Sequence, residues 1–170
     1  AEHAAIWAAI GAVAGLADRR RRRRWLIAAA TGPAAVGLNF AVKLTVGRER
    51  PLLPEHPRLG RAPTELSFPS AHATSSFAAA IALGRVEPRA RLPLLALATA
   101  IAVGRPYLGM HYPSDALAGA ALGVAIGSLI PGLGAPPPEE RLIDLVIDAN
   151  ERTRRDGAPH GAPAGAPRPA

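Results

Sequence analysis

Three short clusters carry residue types, at spacings, that could act on an anion. Lys43 and Arg50, followed by Pro51, form K-x6-R-P. Pro69, Ser70, Ala71 and His72 form the second cluster, and Arg105, His111 and Asp115 form the third as R-x5-H-x3-D. Lys43, Arg50 and Arg105 supply three cations. A guanidinium grips phosphate oxygens with two parallel donors, and a lysine adds a point charge. Ser70 and the backbone amides of Ala71 and His72 stand where an apolar helix begins. A helix N-terminus offers unpaired N–H groups and the positive end of its dipole to an anion. His111 and Asp115 are four apart and would share a face of a helical turn. A carboxylate beside an imidazole fixes its tautomer and stabilises the charge that forms as the other nitrogen attacks. His72 is left to donate a proton to a leaving oxygen.

Each piece has an ordinary alternative. A lysine at a membrane helix end snorkels to the interface. A serine after a proline caps a helix. A lone histidine is commonly structural, and a His–Asp pair is commonly a surface hydrogen bond. The combination points further, because the chain's single lysine, two of its five histidines and two of its arginines fall in a fixed order. Ionisable groups bounded by apolar segments are expensive, which makes a functional site the default reading.

The elements that must position these groups read as membrane helices. Apolar runs span Ala4–Ala17, Trp25–Val46, Ala71–Gly84, Leu92–Val103 and Asp115–Ile130. Trp25–Val46 has the roughly 20 residues needed to cross a bilayer. The shorter runs are expected to extend into neighbouring loop residues, or to leave the site recessed. Six consecutive arginines, Arg19–Arg24, precede Trp25, which reads as an interfacial anchor. With that run inside, alternation puts Gly47–Pro69 outside, Arg85–Arg91 inside, Arg105–Ser114 outside and the C-terminal tail inside. All three clusters then lie on the outer side. The expectation is an all-α fold: a polytopic transmembrane helix bundle in the cell membrane, with its active site at the outer, periplasmic end.

Composition agrees. Aromatics are 4% of the chain while alanine, glycine and leucine dominate, as close packing of membrane helices allows. The formal charge of +7 is clustered at apolar boundaries, which suits a membrane edge better than nucleic acid. Cysteine is absent, so disulfides and thiolate zinc sites are excluded. The bias to arginine, alanine, glycine and proline suggests a GC-rich genome. The opening alanine is expected of a piece of a longer chain, and no cleavable signal peptide is evident. Residues 1–135 are expected to form the membrane domain. Residues 136–155 are a proline linker and an amphipathic cytoplasmic helix over Glu139–Arg152, and 156–170 a disordered tail.

Together the clusters resemble the type 2 phosphatidic acid phosphatase superfamily, whose pattern is K-x6-R-P, P-S-G-H and S-R-x5-H-x3-D. The resemblance spans Lys43 to Asp115. Ala71 stands where glycine is usual, which narrows backbone access to phosphate. Gly104 stands where serine is usual, which removes a hydroxyl. Neither touches the nucleophile or the acid, so activity is expected to survive. The resemblance implies that His111 attacks phosphorus and becomes a phosphohistidine, oriented by Asp115. It implies that His72 protonates the departing alkoxide and then activates water. Lys43, Arg50, Ser70 and Arg105 would hold the phosphoryl oxygens, with the Ala71 amide assisting. No metal and no cofactor are implied.

The implied substrate is a lipid-linked phosphate reached from the membrane, with membrane lipids the other partner. The loop Pro54–Arg61 looks like that of actinobacterial members assigned to decaprenylphosphoryl-5-phosphoribose, a cell-wall arabinan precursor. Undecaprenyl diphosphate, phosphatidylglycerol phosphate and phosphatidic acid stay open. His56, Arg58 and Arg61 are candidates to contact a head group, an ordinary solvated loop being the alternative. Vanadium haloperoxidases share the constellation, but they are larger soluble proteins. An inactive membrane scaffold is the remaining alternative, and intact His72, His111 and Asp115 argue against it.

Overall fold

Alanine, glycine, serine and threonine line the middle of this protein, and that choice sets how closely its helices approach. The computed structural model describes residues 2–51, 64–133 and 138–156. The helices are α1 (Glu2–Ala17), α2 (Arg22–Val46), α3 (Ala71–Val86), α4 (Arg91–Tyr107), α5 (Pro113–Leu129) and α6 (Pro138–Asp156), with a 3-10 turn at Pro88–Ala90. The described residues contain no strand, only an isolated bridge between Glu49 and Leu66. Residues 1–134 and 135–170 form separate units.

In the first unit α3 is the central helix, packed by α1, α2, α4 and α5. Ala73, Ala78, Ala79, Ala80, Ala82 and Leu83 are fully buried along it. Its neighbour α5 approaches through Gly119, Gly123 and Gly127, spaced one helical turn apart. A methyl group at Gly119 would lie 2.6 Å from the Ser70 carbonyl oxygen, and one at Gly127 2.6 Å from that of Ala78. At Gly123 it would collide with the Thr74 carbonyl oxygen. The two backbones therefore touch, a contact that only glycine permits.

Polar pins cross the same core. The Trp7 indole N–H donates to Ser76 Oγ over 3.1 Å. The fully buried Asn39 amide donates to Thr74 Oγ1 over 2.9 Å and to the Pro69 carbonyl over 3.3 Å. These bonds join α1 and α2 to α3 where apolar side chains are too small to define rotation.

The bundle has two distinct ends. At one, Arg21 donates to the Val86 carbonyl over 2.9 Å and to Glu87 over 3.2 Å, and Arg24 donates to the Leu133 carbonyl over 3.3 Å. Arg85 donates to the carbonyls of Gly127, Ser128 and Ile130, each at 2.9 Å, so a cation satisfies the negative end of α5. The three chemical clusters gather at the opposite end, where α2 and α4 finish and α3 and α5 start.

Several expectations are corrected. Trp25 is buried, its N–H donating to Asp18 over 3.2 Å with the Arg21 guanidinium 5.9 Å above the ring, so it is a core residue and no interfacial anchor. Its carboxylate partner seven residues upstream draws the indole inward. Arg85 belongs to α3 and Arg105 to α4, because both helices run beyond their apolar stretches. Helix α6 runs through Asp156, one residue into the stretch expected to be disordered. Of the described helices, α2 alone is long and apolar enough to cross a membrane, while α1 and α5 are apolar but shorter.

The glycine seam yields a test. Gly123→Ala should destabilise the bundle by about 1–3 kcal/mol, the usual cost of overpacking a tight contact. Gly37→Ala, where nothing lies within 4 Å of an added methyl, is the control. Thermal unfolding in detergent measures both; equal midpoints would refute the seam.

Candidate active site

Four helix ends and two loop stretches build the site. Lys43 lies in the last turn of α2, which closes at Gly47 in the left-handed conformation (φ 64°) with its N–H returned to the Lys43 carbonyl. The chain then passes Arg48 and Arg50. The second stretch, 64–70, comes back beside it and delivers Ser70 to the start of α3. Ser67 N–H donates to the Arg48 carbonyl over 2.7 Å, and Arg50 N–H to that of Glu65 over 3.1 Å, which holds the two stretches together.

Two of the three motif cations, Lys43 and Arg50, donate to main-chain carbonyls. Lys43, 4% exposed, donates to the Leu66 carbonyl over 3.0 Å. Arg50, 6% exposed, donates through Nε to the Thr64 carbonyl over 3.0 Å and through Nη1 to that of Met110 over 2.6 Å. Arg105 Nε is buried and has no hydrogen-bond partner among the described residues. A carbonyl satisfies a donor without cancelling its charge, so the cluster keeps its attraction for an anion.

His111 sits among them, 4% exposed. Its Nε2 is 3.3 Å from Arg50 Nη1, which can only donate. The acceptor is therefore Nε2, and the proton of the neutral ring is on Nδ1. That nitrogen faces Asp115 Oδ2 at 3.6 Å. Burial, reinforced by the charges of Arg50 and Lys43, lowers the His111 pKa from 6.5 to about 4 against the opposing pull of Asp115. Arg105 adds to the lowering, so its charge reaches the same ring.

The pairing with Asp115 arises differently from the expected helical turn. Tyr112 caps α5 and Pro113 occupies its first turn, so His111 precedes the helix while Asp115 is within it. Asp115 Oδ2 accepts the Tyr112 N–H over 2.9 Å. Its main-chain oxygen accepts the Ser70 N–H over 3.0 Å, tying the second cluster to the third.

The structure thus brings Lys43, Arg50, Arg105, His111 and Asp115 together, with Ser70 joined through Asp115. Ala71 and His72 reach the same end on the first turn of α3, both half-buried. Ser70 is fully buried, and its hydroxyl accepts the Ala73 N–H over 3.5 Å, the capping role open to it as an alternative. His56, Arg58 and Arg61 lie outside the described residues. Among those described, no three His, Asp or Glu side chains gather as a metal site would require. One participant escapes motif reading. Arg48, inside the six-residue spacer, donates to Asp115 Oδ1 over 2.9 Å and to Ser114 Oγ over 3.0 Å.

An all-helical bundle that gathers three cations around an imidazole and a carboxylate defines a phosphate-handling protein. Comparison specifies which kind. Residues 24–134 match the PAP2 superfamily, and the chain belongs to that family. It is 40% identical over 137 residues to the decaprenylphosphoryl-5-phosphoribose phosphatase of Mycobacterium tuberculosis, covering 78% of this chain and 74% of that protein. The corresponding phosphatase of Mycolicibacterium smegmatis is 41% identical over 118 residues, covering 69% and 64%. The undecaprenyl-diphosphatase of Bacillus subtilis is 30% identical over 114 residues, covering 66% and 58%. No solved structure matches. All three relatives are named as phosphatases, and this chain is a phosphatase of the same family.

The ring environment of His111 can be titrated directly. In the free protein its carbon-bound ring protons, followed by NMR after isotope labelling, should change near pH 4, so the ring stays neutral throughout the neutral range. A midpoint at or above the ordinary 6.5 would mean that the cations are not where the structure puts them.

Proposed function

We propose that this protein is a multi-pass membrane phosphatase whose His111 forms a phosphohistidine with a polyprenyl-linked phosphate monoester. Decaprenylphosphoryl-5-phosphoribose is the substrate this reading favours, since that is what the mycobacterial relatives are named for. The observation that carries the mechanism is a buried imidazole, His111, on which Lys43, Arg50 and Arg105 all act and whose Nδ1 faces Asp115.

In the first step a phosphoryl group binds among Lys43, Arg50 and Arg105, with Ser70 and the Ala71 amide at the mouth of α3. Its oxygens compete for Arg50, which releases the Nε2 lone pair. Nε2 attacks phosphorus, and the bond from phosphorus to the alkoxide oxygen breaks. His72 gives that oxygen a proton. Asp115 Oδ2 faces Nδ1–H as the ring becomes positive, so charge forms where a carboxylate already waits. In the second step His72 takes a proton from water, which attacks phosphorus. The P–N bond breaks, and inorganic phosphate leaves. The charge stabilisation comes from side chains, so the mechanism requires no divalent ion.

The membrane setting is supported by an inverted surface. The interior is dominated by alanine, glycine and hydroxyl residues around a few large side chains such as Trp7 and Leu83, while Leu92, Val103, Leu117 and Leu129 are largely exposed. Water penalises that arrangement; hydrocarbon does not, because packing rather than apolar burial joins helices there. The arginine-rich end, holding Arg19–Arg24 and Arg85–Arg91, fits the cytoplasmic face, and the catalytic end then faces outward. His56, Arg58 and Arg61 are proposed to meet the head group, and residues 136–155 to form a cytoplasmic linker and helix.

Phosphate release measured in detergent over polyprenyl and glycerolipid phosphates tests the activity and its preference together. His111→Ala should abolish release, and Arg105→Ala should lower the rate by about a hundred- to a thousand-fold. EDTA should leave the rate unchanged, and vanadate, a mimic of five-coordinate phosphorus, should inhibit. Wild-type turnover by His111→Ala would end the phosphohistidine mechanism. Orientation is tested separately: single cysteines at Glu49 and Arg89, both exposed, should label from opposite sides of sealed membranes.

A further inference from the structure

We infer that Arg48 is a positioning residue, which fixes the Asp115 carboxylate and through it the His111 ring. The inference rests on the phosphohistidine reading and deepens it. Asp115 is fully buried, and a carboxylate in such a place is retained only with partners on both oxygens. The two oxygens have divided their work. Oδ2 accepts the Tyr112 N–H over 2.9 Å and faces His111 Nδ1 at 3.6 Å. Oδ1 is held by Arg48 Nη1 over 2.9 Å. Without Arg48 the carboxylate could rotate about its terminal bond and turn Oδ2 away from the ring.

Arg48 is itself held. Its guanidinium lies 4.7 Å above the Tyr112 ring and 5.9 Å from that of Phe68, both within cation–π range. Nη1 also donates to Ser114 Oγ over 3.0 Å. One side chain thereby links the exit of α2, the approach to α3 and the first turn of α5. These contacts engage it with the acid and its neighbours, which separates it from Arg50 and Arg105. At 43% exposure it is a partly solvated clamp, closing the acid off from water on that side.

The test uses the full chain in detergent with a lipid phosphate substrate. Arg48→Gln should lower kcat by about ten- to a hundred-fold, the range for a lost hydrogen bond to a charged group, with KM near wild type. Rapid-quench measurement should show slower phosphohistidine formation. Turning Asp115 away weakens an interaction that raises the His111 pKa, so the acid limb of kcat should move to lower pH. Arg48→Lys, which keeps charge at that point, should recover part of the rate and of the pH profile. Three results overturn the assignment. One is a reduced active fraction with unchanged kcat per active site and unchanged pH limb, the mark of a merely structural residue. Another is a rise in KM and in the vanadate inhibition constant matching the loss of rate, the mark of a phosphate ligand. The third is wild-type kinetics. His111→Ala in the same assay separates the levels: an active variant defeats the phosphohistidine reading itself, whereas an inactive one beside an unaffected Arg48→Gln defeats only the clamp.

Discussion

Positive groups held close together repel one another, and this fold holds Lys43, Arg50 and Arg105 against that repulsion. Two unit charges 4 Å apart at an effective dielectric near 20 interact by about 4 kcal/mol. Lys43, Arg50 and Arg105 all act on one buried ring, and Asp115 is the buried carboxylate that answers them. The loops supply carbonyls from Thr64, Leu66 and Met110 to Lys43 and Arg50. Carbonyls hold the cations in position and leave their charge in force. Donors fixed in this way need no reorganisation when an anion binds, which is the basis of electrostatic preorganisation.

That arrangement requires helix ends that cannot drift. Helix α3 supplies it by being central, buried along its length and made of residues too small to separate its neighbours. The polar pins Trp7–Ser76 and Asn39–Thr74 set the rotation of α1 and α2. At the far end Arg85 closes the last carbonyls of α5. Arginine thus serves two purposes. At one end it caps and ties, and at the other it surrounds His111 and Asp115.

The three clusters were legible in sequence because each is local: its spacing alone selects chemistry, and the bundle had only to bring three short pieces together. The helices were legible for the same reason, as apolar runs between charged breaks. What escaped depends on contacts distant in sequence or on capping. Trp25 looks like an interfacial residue until Asp18 is seen to receive its N–H. His111 and Asp115 looked like helical neighbours until Pro113 opened the helix between them. Arg48 could not be read at all, since a spacer has no assigned content, and its partner lies 67 residues away. Ser70 shows a limit of another kind, because capping a helix and facing an anion call for the same residue at the same place.

The glycine seam between α3 and α5 has a mechanical consequence. Two helix starts at the site, one bearing His72 and the other Asp115, belong to the two elements whose backbones touch and whose ends are bonded from Ser70 to Asp115. Side chains elsewhere can repack when bilayer thickness or lateral pressure changes, but a backbone contact has no rotamers with which to yield. The starts of α3 and α5, with the site residues they carry, therefore keep their spacing when neighbouring side chains repack.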